Sequence, residues 1–197
     1  RNHIKAFLPA FRIALSEAKI SVEDVNIVSA TAGPGLVGSL LIGLMCAKTL
    51  SYALNIPIVP VNHIEGHIFS PFLEVQEKQE IFPFTALVIS GGHTHIYLVN
   101  SHSDIKLIGR TKDDACGELF DKVSNYLGFG YPGGRIVDEL AEQGDKHAFK
   151  FPILFKKTLS ACETYKVKNV VVSGGVSANS RIRSMFRERG EDLGLKI

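Results

Sequence analysis

One short phrase occurs twice in this chain and restricts the folds open to it. Residues 88–92 read VISGG and residues 171–175 read VVSGG, each an apolar run that ends in Ser-Gly-Gly. Two glycines at the carboxyl end of a strand let backbone N–H groups approach an anion closely. A predicted helix follows the second copy at once, and its N-terminus adds favourable charge. A turn that needs positive φ would explain one copy, whereas two copies favour phosphate or nucleotide binding.

The pattern around this phrase predicts a layered α/β protein. Apolar residues at helical spacing open the chain, although Pro9 should kink or reset that helix. A strand, a glycine loop, an apolar helix and the strand IPIVPV follow. Further along, FTALVIS, HIYLVN and IKLIGR are consecutive strands. Helices are predicted over 113–128, 135–144, 153–165 and 177–190, with the strand VKNVVVSGG before the last of them.

Length and composition fit an ordinary globular protein of two lobes. The chain has 197 residues, 45% of them hydrophobic and 21% charged. Composition changes after the polar run EVQEKQE, which predicts an N-terminal lobe over 1–80 and a C-terminal lobe over 81–197. The net charge of +2 permits a nucleic-acid partner without arguing for one. The three cysteines form no CxxC pair, so a disulfide scaffold and a thiolate zinc site are not indicated, and a reducing compartment is favoured.

Residues 25–47 carry no charge and are long enough to cross a bilayer. Four glycines and Pro34 interrupt them. A buried strand, a glycine loop and a core helix explain the same apolarity, so we expect no membrane segment.

Two histidines four residues apart, His63 and His67, would point from one face of a helix. Histidine is a common metal ligand, but a catalytic site needs about three protein ligands, so spacing alone leaves a metal site and two surface histidines both open. The HExxH pattern of zinc proteases is absent, because Ile64 follows the first histidine and Glu65 comes one place later.

Two charged groups are ambiguous in the sequence. Asp114, Glu118 and Asp121 share a helix face, which fits either a solvated surface or a contact to a ligand hydroxyl or ammonium. The run Arg181, Arg183, Arg187 and Arg189 fits either RNA phosphate or an exposed helix. No GxSxG nucleophile elbow is present.

Five motifs in order resemble the bacterial-type TsaD family, formerly described as O-sialoglycoprotein endopeptidase. They are TAGPGLVGSLLIG, VNHIEGH, FTALVISGGHTHI, DDACGELFDKVSNYLGFGYPGG and VVVSGGVSANSRIR. The resemblance implies a two-lobed fold of the actin, hexokinase and Hsp70 ATPase kind. It implies a metal-dependent enzyme that transfers a threonylcarbamoyl group from threonylcarbamoyl-AMP to N6 of the adenosine 3′ of a tRNA anticodon. A bacterial cytoplasmic location, rather than an organelle, is implied as well.

The resemblance also assigns residues and partners. His63 and His67 would bind one Fe²⁺ or Zn²⁺, and no other catalytic side chain is assigned. Substrate contacts would fall on Val88, Ile89, Ser90, Gly91, Gly92, Asp121, Gly134 and Asn179. The partners would be tRNA, threonylcarbamoyl-AMP or another adenine nucleotide, a paralogous TsaB subunit and a TsaE ATPase subunit.

The chain departs from the family pattern in several places. We expect the first strands, with a phosphate-binding turn, to be missing from the N-terminal lobe, and a further segment to be missing near 152–153. The third metal ligand is expected to be an aspartate beyond Ile197. Arg135 stands where the family has proline.

Three other functions remain open at this stage. An ATPase or sugar-kinase-like protein of the actin fold would need ATP and no tRNA. A metalloprotease is disfavoured by the displaced Glu65. A non-catalytic subunit like TsaB would be expected to lack the HIEGH motif, which this chain has.

Overall fold

The computed structural model describes residues 2–73, 81–145 and 153–197, and these divide into two compact units, Arg1–Gly66 and His67–Ile197. This division falls on the N-terminal side of the boundary expected between residues 80 and 81. The expected missing segment near 152–153 adjoins residues that lie outside the described part of the chain.

The first unit is built on a β-α-β arrangement. Helix α1 spans Asn2–Ala18 and continues through Pro9 without a break. Strand β1 (Val28–Gly33) and strand β2 (Ile58–Asn62) pair in parallel, and helix α2 (Val37–Leu54) connects them. Helix α3 (His63–Phe69) begins directly after β2.

Helix α2 is more exposed than a core helix should be. The charge-free stretch does split into a strand, a turn and a helix, as expected, but Ala47 is the only buried residue of α2. A sheet of two strands can cover only one side of a helix. By length and mean hydropathy α2 could also cross a membrane, which is weak evidence because core helices of soluble proteins meet the same criterion.

The second unit is a four-stranded sheet with helices against it. The strands are β3 (Phe84–Ile89), β4 (Thr94–Val99), β5 (Ile105–Arg110) and β6 (Asn169–Ser173), in the spatial order β5-β4-β3-β6. The first three form an antiparallel meander, and β6 pairs with β3 in parallel. The helices are α4 (Cys116–Tyr126), α5 (Gly133–Ala141), α6 (Ile153–Tyr165) and α7 (Ser180–Asp192).

The core of this unit lies between the sheet and helices α6 and α7. Leu87 and Ile89 of β3 are fully buried there, against Phe155 and Phe186, whose rings meet edge to face at 5.3 Å. Every residue of β3 is buried, including Thr85, as its otherwise apolar sequence favours for a central strand. On the other side, Phe69 and Phe72 pack against Phe84.

Candidate functional site

The two Ser-Gly-Gly turns leave the sheet at the same edge. Strands β3 and β6 are parallel neighbours, and Val88 pairs with Ser173 in register. Since the carboxyl ends of parallel strands meet at one edge, Ser90-Gly91-Gly92 and Gly174-Gly175 lie side by side. Ligands of open α/β sheets bind outside such strand ends. The two copies of the repeated phrase therefore lie at the same edge of the sheet.

Glycines hold these turns closer together than other residues could. Gly174 has φ +89°, and a Cβ there would lie 2.4 Å from the carbonyl oxygen of Ile89. A Cβ on Gly117 of α4 would lie 2.7 Å from the carbonyl oxygen of Ser90. Both distances are shorter than van der Waals contact allows. The backbones of β6 and α4 therefore come so close to that of β3 and its turn that no side chain fits at Gly174 or Gly117.

A cleft of about 320 Å³ opens beside the second turn. Its lining is mostly polar, and its residues are His67, Ser70, Pro71, Val172, Ser173, Gly174, Gly175 and Ser177. Ser173 is 2% exposed, and its Oγ makes no hydrogen bond to any described residue. A buried hydroxyl without a partner costs free energy, which a ligand that accepts or donates a hydrogen bond there would recover.

The side chains of Val88 and Ile89 are fully buried. Any substrate contact by these two predicted residues would therefore use backbone atoms. Ser90 closes the turn, because its N–H donates to the His93 carbonyl (2.8 Å) and its Oγ accepts from the His93 N–H (3.2 Å). Gly91 and Gly92 are exposed, and a Cβ on either would meet nothing within 4 Å.

The N-terminus of α4 anchors the first turn. The N–H groups of Gly117 and Glu118 donate to the carbonyls of Ser90 and Gly91, at 3.3 and 3.1 Å. The N–H of Cys116 donates to Thr94 Oγ1 at 2.8 Å. A helix N-terminus usually offers such N–H groups to an anion. Here they donate to protein groups instead.

The three acidic residues predicted to share one face of α4 have different partners. Lys122 Nζ lies 2.6 Å from Asp114 and 3.0 Å from Glu118, and these hydrogen bonds, that to Asp114 first, raise the pKa of Lys122. Both carboxylates thus take part in exposed ion pairs, which contribute little to stability. Asp121 instead accepts a hydrogen bond of 2.7 Å from the Gly133 N–H at the start of α5.

Gly134 and Asn179 lie at the N-termini of α5 and α7. A Cβ on Gly134 would meet nothing within 4 Å, so its backbone is open to an approaching ligand. Asn179 caps α7, since its Oδ1 accepts from the Ile182 N–H at 3.0 Å. Its Nδ2 donates to Asp138 Oδ1 at 2.9 Å. Both ends of this amide are therefore engaged by protein groups.

Asp138 is a residue of this region that the sequence analysis missed. Besides Asn179, its carboxylate accepts from the Ser180 N–H at 3.0 Å and from the Ser180 Oγ at 2.8 Å. It joins α5 to the start of α7. The partner lies about forty positions away in the chain, and no local pattern indicates such a pairing.

The two histidines predicted as metal ligands lie on the short helix α3. Asn62 caps it, because its Oδ1 accepts from the Ile64 N–H at 2.8 Å. His63 and His67 are its first and fifth residues, so their imidazoles leave the same face. Among the described residues, no group of three His, Cys, Asp or Glu side chains is placed to hold a metal ion.

Comparisons with known proteins give consistent results. A family model described as "TsaD: tRNA N6-adenosine threonylcarbamoyltransferase" matches residues 1–158. A protein of that name from Persephonella marina is 38% identical over 242 residues, which cover all of this chain and 70% of the relative. A second protein of the same name, from Syntrophus aciditrophicus, is also 38% identical, and the match covers 100% of this chain and 72% of that relative.

A solved structure shares the fold at low identity. The ROK hexokinase from Thermus thermophilus has a TM-score of 0.50 and 15% identity, over 96% of this chain and 76% of that one. The predicted α/β fold of the actin and hexokinase kind is thereby confirmed.

Proposed function

Because this chain belongs to the TsaD family of tRNA N6-adenosine threonylcarbamoyltransferases, we propose that it transfers a threonylcarbamoyl group to N6 of the adenosine 3′ of a tRNA anticodon. The whole-chain match to curated relatives of that name supports the reaction. The HIEGH motif, which a non-catalytic paralogue is expected to lack, is present in α3.

The donor is threonylcarbamoyl-AMP, and its adenylate phosphate lies at the edge formed by the two Ser-Gly-Gly turns. The observation that carries this assignment is the polar cleft lined by Ser173, Gly174 and Gly175 at the end of β6, beneath which the buried Ser173 Oγ has no partner among the described residues. A phosphate oxygen that reached this hydroxyl would accept a hydrogen bond from it. The open backbone of Gly91 and Gly92 provides room for close approach of the same group.

The reaction needs no protein nucleophile. The N6 amine attacks the carbamoyl carbon, a C–N bond forms, the C–O bond to the phosphate breaks, and AMP leaves while N6 releases a proton. The protein's part is to hold the two reactants in contact and to keep water out. This agrees with a chain that has no nucleophile elbow.

One divalent metal, Fe²⁺ or Zn²⁺, binds His63 and His67 in this proposal. Two neutral imidazoles from one helix face suit either ion, but they provide two ligands where about three are usual. When bound, the metal supplies Lewis-acid polarisation of the carbamoyl oxygen. Glu65 is exposed in α3, and its place one residue after that of the glutamate in HExxH disfavours a protease base.

Paralogous TsaB and the TsaE ATPase are the proposed protein partners, and a bacterial cytoplasm is the proposed location. Both rest on the family resemblance. Co-purification of tagged chain with each subunit, in the presence and absence of nucleotide, tests them.

The activity is tested by incubating the protein with threonylcarbamoyl-AMP and unmodified tRNA, then digesting the tRNA and measuring threonylcarbamoyladenosine by mass spectrometry. We expect the modified nucleoside to form, and a transcript with guanosine at the target position to remain unmodified. Phosphorylation of hexoses with ATP, and no modified nucleoside when TsaB and TsaE are also supplied, would support the kinase-like alternative instead.

A further inference from the structure

Basic residues are concentrated in the last part of the chain. Residues 153–197 contain nine Lys and Arg against four Asp and Glu, although the whole chain has a net charge of only +2. All nine are exposed, and none forms an ion pair with a described residue. The ion pairs of the described chain lie instead between residues 104 and 139. This part of the molecule therefore presents positive charge that the described fold does not neutralise.

Helix α7 carries this charge unevenly along its length. Its first two turns contain Arg181, Arg183 and Arg187, and its acidic residues all come after position 187. The helix begins just after the second Ser-Gly-Gly turn. Its end leads back to the start of β6, where the Lys196 N–H donates to the Lys168 carbonyl at 2.9 Å. Helix α7 therefore runs antiparallel to β6, and its basic half is the half nearer the edge where the two Ser-Gly-Gly turns lie.

The fourth arginine of α7 has a partner within the fold. The guanidinium of Arg189 lies 5.8 Å from the centre of the Phe155 ring of α6. At about 100° per residue, Arg183 and Arg187 lie roughly 120–160° round the helix from Arg189, on the flank away from α6. They are neighbours at i and i+4 on that flank.

A helix that is only solvated would favour a different order of charges. Acidic residues stabilise a helix near its N-terminus and basic residues near its C-terminus. Apart from Arg189, α7 has the opposite order. The carboxylate that reaches its start, Asp138 of α5, already accepts hydrogen bonds from Asn179 and Ser180. A bound polyanion would supply negative charge to this basic half.

We infer that Arg181, Arg183 and Arg187 bind the phosphate backbone of an RNA whose reacting nucleotide lies at the edge with the two Ser-Gly-Gly turns. Arg181 and Arg187 are about 9 Å apart along the helix axis. One strand of a nucleic-acid duplex presents two or three phosphates over that length, at about 3.4 Å each. Guanidinium groups suit this role because their planar forks match phosphate oxygens. Only the identity of the RNA as tRNA rests on the proposed function.

The test measures the dissociation constant of a fluorescently labelled, unmodified tRNA transcript across a series of salt concentrations. The full chain is used, alone and with TsaB and TsaE. Each lost phosphate contact should reduce the slope of log affinity against log salt by roughly 0.7–0.9. We expect the double variant Arg183→Gln with Arg187→Gln to bind tRNA at least about tenfold more weakly at low salt, with a slope smaller by two contacts. Arg181→Gln alone should lose one contact.

A matched control removes the same charge at the other end of β6. Lys166 and Lys168 are exposed and precede that strand, so Lys166→Gln with Lys168→Gln should leave affinity and slope nearly unchanged. The dissociation constant for threonylcarbamoyl-AMP should be the same in the parent and in both double variants.

Three results would overturn the inference: equal weakening in the two double variants, an unchanged slope in the arginine variant, or binding of phosphatidylglycerol vesicles rather than tRNA by the parent. Failure of the proposed function would appear differently, as tRNA that binds through these arginines and is not modified.

Discussion

At the scale of single residues, His63 and His67 carry the proposed metal. Their placement as the first and fifth residues of α3 makes them neighbours on one face. Replacing both with alanine should remove bound Fe²⁺ or Zn²⁺ and abolish tRNA modification. The measurement is metal content by elemental analysis, together with the nucleoside assay.

His102 provides a matched control for that pair. It is exposed and its ring stacks on Phe69 at 5.1 Å, so His102→Ala should keep metal and activity. Full modification by a metal-free double variant would show that the histidines have another role.

His95 makes folding stability depend on pH. Its lowered pKa, caused first by burial and then by His93 and Arg110, means that the folded protein favours the neutral imidazole. The stability from this residue is complete above the usual histidine pKa of about 6.5 and is lost as pH falls through the folded value. Urea unfolding at pH 7.5 and 5.5 should therefore show a smaller loss in His95→Gln than in the parent. An equal or larger loss would contradict this assignment.

At the scale of elements, the contact between β6 and β3 depends on Gly174. Alanine there would need φ +89° and would clash with the Ile89 carbonyl at 2.4 Å. We expect Gly174→Ala to lower the free energy of unfolding by about 2–4 kcal/mol. In chemical denaturation Gly175→Ala should cost much less, because a Cβ there meets nothing within 4 Å. Equal costs would mean that the turns are not closely packed.

The junction of α5 and α7 depends on Asp138. Its hydrogen bonds to Asn179 and Ser180 satisfy the start of α7. Asp138→Ala should lower the free energy of unfolding by about 1–3 kcal/mol, because the partly buried Asn179 amide and the Ser180 N–H and hydroxyl lose a charged acceptor. Glu139→Ala, which removes an exposed ion pair with Arg135, should change the free energy of unfolding little. Hydrogen exchange should show faster opening of the first turn of α7 in Asp138→Ala alone.

The strands of the second unit were predictable because their apolar runs are short and bounded by turn residues. IKLIGR is strand β5 residue for residue, and FTALVIS exceeds β3 by one residue. Helix starts were less predictable. The helix expected from residue 113 begins at Cys116, because the Thr94 hydroxyl and the Ser90 and Gly91 carbonyls receive its first N–H groups. Such distant partners leave no trace in local sequence.

At the scale of the whole molecule, the family and the fold followed from five ordered motifs, whereas the internal contacts of the site did not. The repeat VISGG and VVSGG indicated a shared ligand edge, and parallel pairing of β3 with β6 places both turns there. The sequence could not indicate that Ser173 would be buried without a partner, or that Asn179 would be held by Asp138. Both depend on tertiary packing across long separations.

The aligned span of the curated relatives exceeds the length of this chain. The match to the Persephonella marina protein runs over 242 residues, and this chain has 197. The relative therefore has residues within the aligned span that this chain lacks. The expected gap near 152–153 remains a prediction.

The central claim is that the edge formed by the two Ser-Gly-Gly turns binds the adenylate donor, and the dissociation constant for threonylcarbamoyl-AMP tests it most directly. Calorimetry should compare the parent with Ser173→Ala and with Thr85→Val, a control at a fully buried hydroxyl of β3 outside the cleft lining. We predict that Ser173→Ala weakens binding roughly three- to tenfold, the value of one hydrogen bond, and that Thr85→Val does not. Unchanged affinity in Ser173→Ala, or equal weakening in both variants, would contradict the account.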